Sequence, residues 1–276
     1  MSNADLIFIN TCNKILNDNI SSKNENIRAK WSDGTPAHTI KSFGIINRYD
    51  LSKEFPIITL RPTNLKNTIE ELLWIWQKKS NNINDFNLKI WDSWATNHGT
   101  IGKAYGYQMR QKHKYKEGLF DQVDRVIYDL KNNKYSRRIM TNMYNHDDLS
   151  EMCLYPCAYS MTFNVTRNKL NGILNQRSQD VLIANNWNVA QYAILIHMFA
   201  QVSNLKVGEF IHVISDAHIY DRHIPIVKEL IKRKRFDAPK LEINKDIKNF
   251  YDFKVDDFKL INYKKNKQIK NIPIAI

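Results

Sequence analysis

The chain carries a cysteine directly after a proline, Pro156-Cys157, and further on a polar run, Gln176-Arg177-Ser178-Gln179-Asp180. Between them lie two extended runs joined by a short polar link, so pairing as neighbouring strands would turn Cys157 and Arg177 towards one cavity. The thiolate is the reactive form of cysteine, and an adjacent cation lowers its pKa. A thiol beside a guanidinium is therefore a candidate nucleophile. Taken alone, Cys157 also fits the common role of a small buried hydrophobe.

Other chemistries find less support. No G-x-S-x-G elbow marks a serine nucleophile, and neither G-x-x-x-x-G-K-[ST] nor G-x-G-x-x-G marks a triphosphate or dinucleotide site. His212 and His218 have only His223 near metal-ligand spacing and read as hydrogen-bonding or surface histidines, so no metal is expected. Cys12, Cys153 and Cys157 are an odd number without CxxC spacing, which argues against a disulfide framework and for a reducing cytoplasm. The N-terminal residues lack the basic-then-apolar order of a secretory signal, and no membrane span is expected. Formal charge is +13, densest at Lys232-Arg233-Lys234-Arg235 and Lys264-Lys265. No nucleic-acid-binding motif accompanies it, so an anionic small molecule is the expected partner rather than a polynucleotide.

A scaffold must position these residues. With 276 residues, 43% of them hydrophobic, the chain is expected to form one domain over residues 1–276 with a substantial core. Residues 5–20 read as an amphipathic helix, 31–39 as a loop, and 40–49 and 57–61 as strands. Leu65, Ile69, Leu72, Leu73 and Trp76 form one helix face within 65–79. Glu71, in the same helix, reads by pattern as a solvated carboxylate. The aromatic and glycine-containing segment 90–110 is a loop able to wall a ligand cavity. A short helix over 121–130 is followed by Arg137-Arg138, which could pair surface carboxylates or grip phosphate, and then by a strand over 139–144. Tyr159, Met161, Phe163 and Val165 alternate with polar residues, the pattern of a half-buried strand. Residues 187–202 are apolar nearly all round and predict a long helix buried in the centre, with Asn188 at its start. A strand over 210–214 and an amphipathic helix over 218–234, whole or broken at Pro225, follow. The apolar end Ile272-Pro273-Ile274-Ala275-Ile276 is expected to be docked.

Pro156-Cys157, Gln176-Arg177-Ser178-Gln179-Asp180, Trp187-Asn188-Val189-Ala190-Gln191-Tyr192, Gly208-Glu209 and Asp216-Ala217-His218-Ile219-Tyr220 resemble thymidylate synthase in order and spacing. Glu71-Leu72-Leu73-Trp74, Ile90-Trp91-Asp92, Tyr105-Gly106, Ser136-Arg137-Arg138 and the final Ile276 extend the resemblance over nearly the whole chain. The set is similar to the phage-associated branch of that family, which would place a viral form in its host's cytoplasm. The resemblance implies an α+β fold whose mixed sheet packs against a partner sheet in a homodimer. It also implies reductive methylation of dUMP to dTMP, with 5,10-methylenetetrahydrofolate donating the one-carbon unit and the hydride.

On this resemblance Cys157 would add to uracil C6, Arg177 would keep the thiol ionised, Glu71 would organise proton transfer, and Tyr105 would lie near the thiol and the C5 proton. Gln176, Arg177, Ser178, Asn188, His218 and Tyr220 would bind dUMP, with Arg137 and Arg138 reaching the phosphate in the other subunit's site. Asn188 would read the uracil edge, and Asp180, Trp91, Leu154 and Ile276 would hold the folate. The chain departs from the family in three places. Ala158 replaces the usual histidine after the nucleophile. The loop Ser32 to Thr39 has no arginine at the expected place, leaving Arg28 and Lys30 as substitutes. Leu60, ahead of Arg61, stands where a lysine is often found. Two alternatives remain: a dUMP 5-hydroxymethylase, in which water replaces the hydride, and a catalytically silent relative that binds RNA.

Overall fold

Three polar side chains start the helices that the apolar spacing predicts. In the computed structural model, which describes residues 1–276 throughout, Ser2 Oγ accepts from Asp5 N, Asn64 Oδ1 from Asn67 N and Asp121 Oδ1 from Asp124 N. They cap α1 (Asn3–Asp18), α2 (Leu65–Trp76) and, after the short α3 (Gly106–Arg110), α4 (Gln122–Asn132). The remaining helices are α5 (Asn185–Val202) and α6 (Ile224–Leu230). The strands are β1 (Ile20–Ser21), β2 (Thr39–Asp50), β3 (His113–Tyr115), β4 (Gly118–Phe120), β5 (Ile139–Asn142), β6 (Ala158–Thr166), β7 (Lys169–Asp180), β8 (Lys206–Tyr220), β9 (Lys240–Ile243) and β10 (Phe258–Ile261).

Six strands form the main sheet in the order β1-β2-β8-β7-β6-β5. β7 and β8 run parallel and the other neighbours antiparallel, which makes the sheet mixed. The inward face changes parity on three adjacent strands. On β2 the buried set passes from Ile40 and Ser42 to Ile45, Asn47 and Tyr49; on β8 from His212 and Ile214 to Ala217 and Ile219; on β7 from Leu174 and Gln176 to Gln179. Phe43, Asp216 and Ser178 pair in one row at this change, beside Gly44 at φ 78°. The aligned irregularities bend the sheet, so Arg177 and Ser178 can both turn towards the cavity on the bent side.

The long helix α5 lies across the inner face. Val189, Ala190, Ala193, Leu195, Met198 and Phe199 are all almost wholly buried, in agreement with its apolar circumference. Stacked rings continue this core, Phe199 on Phe250 at 4.8 Å and Trp74 on Phe86 at 5.1 Å.

Three sequence expectations are corrected. Residues 57–61 form no strand; Ile57, Ile58 and Leu60 are buried in an irregular segment whose Thr59 backbone N–H is taken by Asp5. Residues 218–220 are the end of β8, not the start of a helix, and a short 3₁₀ turn separates them from α6, with Pro225 in its first turn. Tyr159 does not share the buried face of Met161, Phe163 and Val165, because the register of β6 shifts between Ala158 and Ser160.

Tyr105 holds φ 46° at the start of α3, a strained conformation for a side chain of its size. Gly106 makes that turn possible, since a Cβ there would stand 2.0 Å from the Ser80 carbonyl oxygen. Gly106→Ala should therefore lower unfolding stability by about 1–3 kcal/mol. Urea denaturation measures this, and an unchanged midpoint would refute the close-approach account.

Candidate active site

β6 and β7 bring the opening residues of the site together. Ala158 pairs with Gln176, and the Cys157 carbonyl accepts the Arg177 backbone N–H at 2.9 Å. The guanidinium is then anchored by carbonyls on the cysteine's own segment: Nε donates to Pro156 O at 3.1 Å and Nη2 to Tyr155 O at 2.7 Å. Nη2 also lies 3.6 Å from Cys157 Sγ. The Cys157 backbone N–H is taken by the Tyr105 hydroxyl at 3.1 Å. Burial pushes the thiol above its ordinary pKa, and the charges of Arg177 and then Arg28 oppose it. The cation next to sulfur therefore offsets only part of the desolvation, a weaker ionising effect than the residue types alone suggested.

Glu71 departs furthest from its sequence pattern. It is 6% exposed, where periodicity alone predicts a solvated carboxylate. Its Oε1 accepts Trp91 Nε1 at 2.7 Å, and its Oε2 accepts Trp187 Nε1 at 2.6 Å and Gln191 Nε2 at 2.8 Å. Burial raises the carboxyl pKa, and these donors pull it back, Trp187 first. Trp91 also meets the Tyr105 ring edge-on at 5.1 Å, joining the carboxylate's shell to that of the thiol.

Asn188 occupies the first turn of α5 and faces the same cavity. Gln176 Nε2 donates to Asn188 Oδ1 at 3.3 Å and to Ser178 O at 3.0 Å, while Gln176 Oε1 is 2.8 Å from His212 Nε2. With Gln176 oriented from both ends, the Asn188 amide nitrogen remains available to a ligand. At the end of β8, His218 Nδ1 lies 2.7 Å from Asp216 Oδ1, and the Tyr220 ring packs edge-on to it at 5.2 Å.

A cavity of about 490 Å³ joins these groups. It is lined by Glu71, Trp91, Tyr105, Leu154, Cys157, Gln176, Arg177, Ser178, Asp180, Asn188, His218, Tyr220 and Ile276. Arg137 and Arg138 do not line it; both are exposed just before β5. Of the two substitutes for the loop arginine, Arg28 lines the cavity and Lys30 does not. Lys30 instead exchanges two backbone hydrogen bonds with Ile276, at 2.8 and 3.0 Å, which dock the apolar tail. Leu60 is a core residue outside the cavity, and Ala158 is a buried part of its wall. Trp187 and Gln191 were visible in the sequence as members of the buried helix and of one resembling run, with no role of their own. No local pattern could have found them; only the resemblance, by giving Glu71 a place in the site, pointed to a buried carboxylate that requires donors.

The family profile described as Thymidylate synthase matches residues 6–275. Thymidylate synthase 1 of Bacillus subtilis (strain 168) is 45% identical over 269 residues, covering 96% of both chains. The thymidylate synthase of Bacillus phage phi3T is likewise 45% identical over 269 residues and 96% of both. In three dimensions the chain is similar to the solved structure titled thermostable thymidylate synthase A from Bacillus subtilis, with a TM-score of 0.95 and 43% identity over 100% of each chain.

If Arg177 offsets the burial of Cys157, Arg177→Gln should move the pH dependence of Cys157 alkylation to higher pH and slow labelling below the pKa. Iodoacetamide labelling followed by peptide mass measurement checks this. Superimposable wild-type and variant profiles would contradict it.

Proposed function

This chain belongs to the thymidylate synthase family and is a methyltransferase of that type, and on that premise we propose that it converts dUMP to dTMP through a covalent bond between Cys157 and uracil C6. The observation that carries the reading is the convergence of Cys157, Arg177, Glu71 and Asn188 on one cavity. Uracil C5 is a poor nucleophile. Addition of Cys157 Sγ to C6 moves the C5–C6 electron pair towards O4 and makes C5 nucleophilic. Asn188 reads the base by donating from Nδ2 to O4 and accepting N3–H at Oδ1, whose second lone pair serves Gln176. Glu71 handles the protons at O4 and C5, and Tyr105, hydrogen-bonded to the nucleophile's backbone, lies beside the C5 proton. Arg177, Ser178 and Arg28 hold the phosphate, and His218 and Tyr220 hold the sugar hydroxyl.

The rest of the cavity suits a planar reduced folate. Ile75, Ile90, Trp91, Trp94, Leu154 and Ile276 offer apolar surface, and Asp180 offers an acceptor for ring N–H groups. When bound, 5,10-methylenetetrahydrofolate supplies the one-carbon unit and the hydride and leaves as dihydrofolate. Trp91 and Leu154 keep water from that region of the wall, which favours hydride over water as the final donor.

The phosphate site is completed in a homodimer by Arg137 and Arg138 of a second copy. Two large apolar side chains support this: Phe43 is 84% and Ile46 61% exposed on the outer side of β2, a poor fit to solvent for a sheet face.

Incubation with dUMP and methylenetetrahydrofolate should give a nucleotide heavier by one methyl group's increment together with dihydrofolate, and Cys157→Ser should abolish both. A hydroxymethyl product without folate oxidation would assign the hydroxymethylase reaction instead. Sedimentation should give twice the 32.6 kDa chain mass, and full turnover by a 32.6 kDa species would contradict the shared site.

A further inference from the structure

The Glu71 carboxylate is held unequally at its two oxygens. Oε2 accepts two N–H groups, from Trp187 at 2.6 Å and Gln191 at 2.8 Å, whereas Oε1 accepts only Trp91 at 2.7 Å. A carboxylate oxygen offers two acceptor positions, so Oε2 is filled and one position remains on Oε1. An indole N–H only donates, so Trp187 cannot accept a proton that arrives on Oε2. Protonation there would have to expel a donor into a dry environment and leave a buried N–H without a partner. Protonation at the open position of Oε1 expels nothing.

Both donors to Oε2 come from α5, Trp187 immediately before Asn188 and Gln191 one turn later. The helix turn that presents the base-reading amide therefore also fixes the carboxylate.

We propose that Trp187 and Gln191 are positioning residues that reserve Oε2 of Glu71, so that proton exchange with the substrate runs through Oε1 alone, a role that rests on reading Glu71 as the proton-handling carboxylate. Removing either donor opens Oε2 to protons and weakens the ionised form. The direction agrees with the physical balance at Glu71, where burial raises the pKa and Trp187 provides the largest opposing contribution.

The test is the pH dependence of kcat in full-length Trp187→Phe and Gln191→Leu. Each variant should move the acidic limb to higher pH by about one unit, a tenfold change in the carboxyl's proton affinity. A purely structural role would lower kcat by the same factor at every pH and leave the limb in place, and that result would overturn the inference. Should Trp187→Phe not fold, the limb of Gln191→Leu alone decides in the same way. Glu71→Gln separates the oxygen assignment from the proton-handling role. If it loses turnover while both limbs stay fixed, the oxygen assignment fails; if it keeps wild-type turnover, the proton-handling reading fails and the inference fails with it.

Discussion

Removal from water is the constraint on which the cavity depends. Cys157, Glu71 and Tyr105 are each driven towards their neutral forms by burial, and each is held in place by specific polar neighbours. For the thiol the neighbour is the Arg177 guanidinium; for the carboxylate they are two indoles and an amide. The same dryness that raises these pKa values also strengthens every remaining electrostatic contact, so small displacements matter more here than on the surface. The surrounding fold supplies rigidity to match. Arg177 is locked to the carbonyls of Tyr155 and Pro156 before any ligand arrives, and Gln176 fixes Asn188 against His212.

Two elements share that work. The bent sheet contributes Cys157, Arg177, Ser178, His218 and Tyr220 from strand ends or the residues beside them, while α5 contributes Trp187, Asn188 and Gln191 from its first turns. α2 brings Glu71 across to meet α5, and the Trp91 and Tyr105 rings close the gap between carboxylate and sulfur. The tail closes the rim by pairing Ile276 with Lys30, directly beside the segment that carries Arg28.

Much of this arrangement was legible from residue order. Helical spacing identified α1, α2, α4 and the buried α5, and the run from Leu154 to Asp180 did become a strand pair with Cys157 against Arg177. What escaped the sequence depended on tertiary context. Residues 57–61 have strand-like composition, yet Thr59 spends its backbone N–H on Asp5 rather than on a ladder. His218 lies on a strand because β8 runs on to Tyr220, past the bend where the apolar alternation changes phase and the pattern of a single strand is lost. Glu71 could not be separated from a surface glutamate by spacing, since its partners Trp187 and Gln191 lie more than a hundred residues away. The role of Arg28 depends on how the chain folds back over the cavity, which no local motif encodes.

In the proposed reaction the desolvated Cys157 bonds to uracil C6, assisted by Arg177. A dUMP analogue with fluorine in place of the C5 hydrogen tests it directly, because C5 then has no proton to release and the covalent complex should persist. After incubation with this analogue and methylenetetrahydrofolate, denaturation and weighing of the intact chain should show the added mass of both small molecules, mapped to Cys157 and missing from Cys157→Ser. An unmodified chain mass, or an adduct on Cys12 or Cys153, would contradict the account.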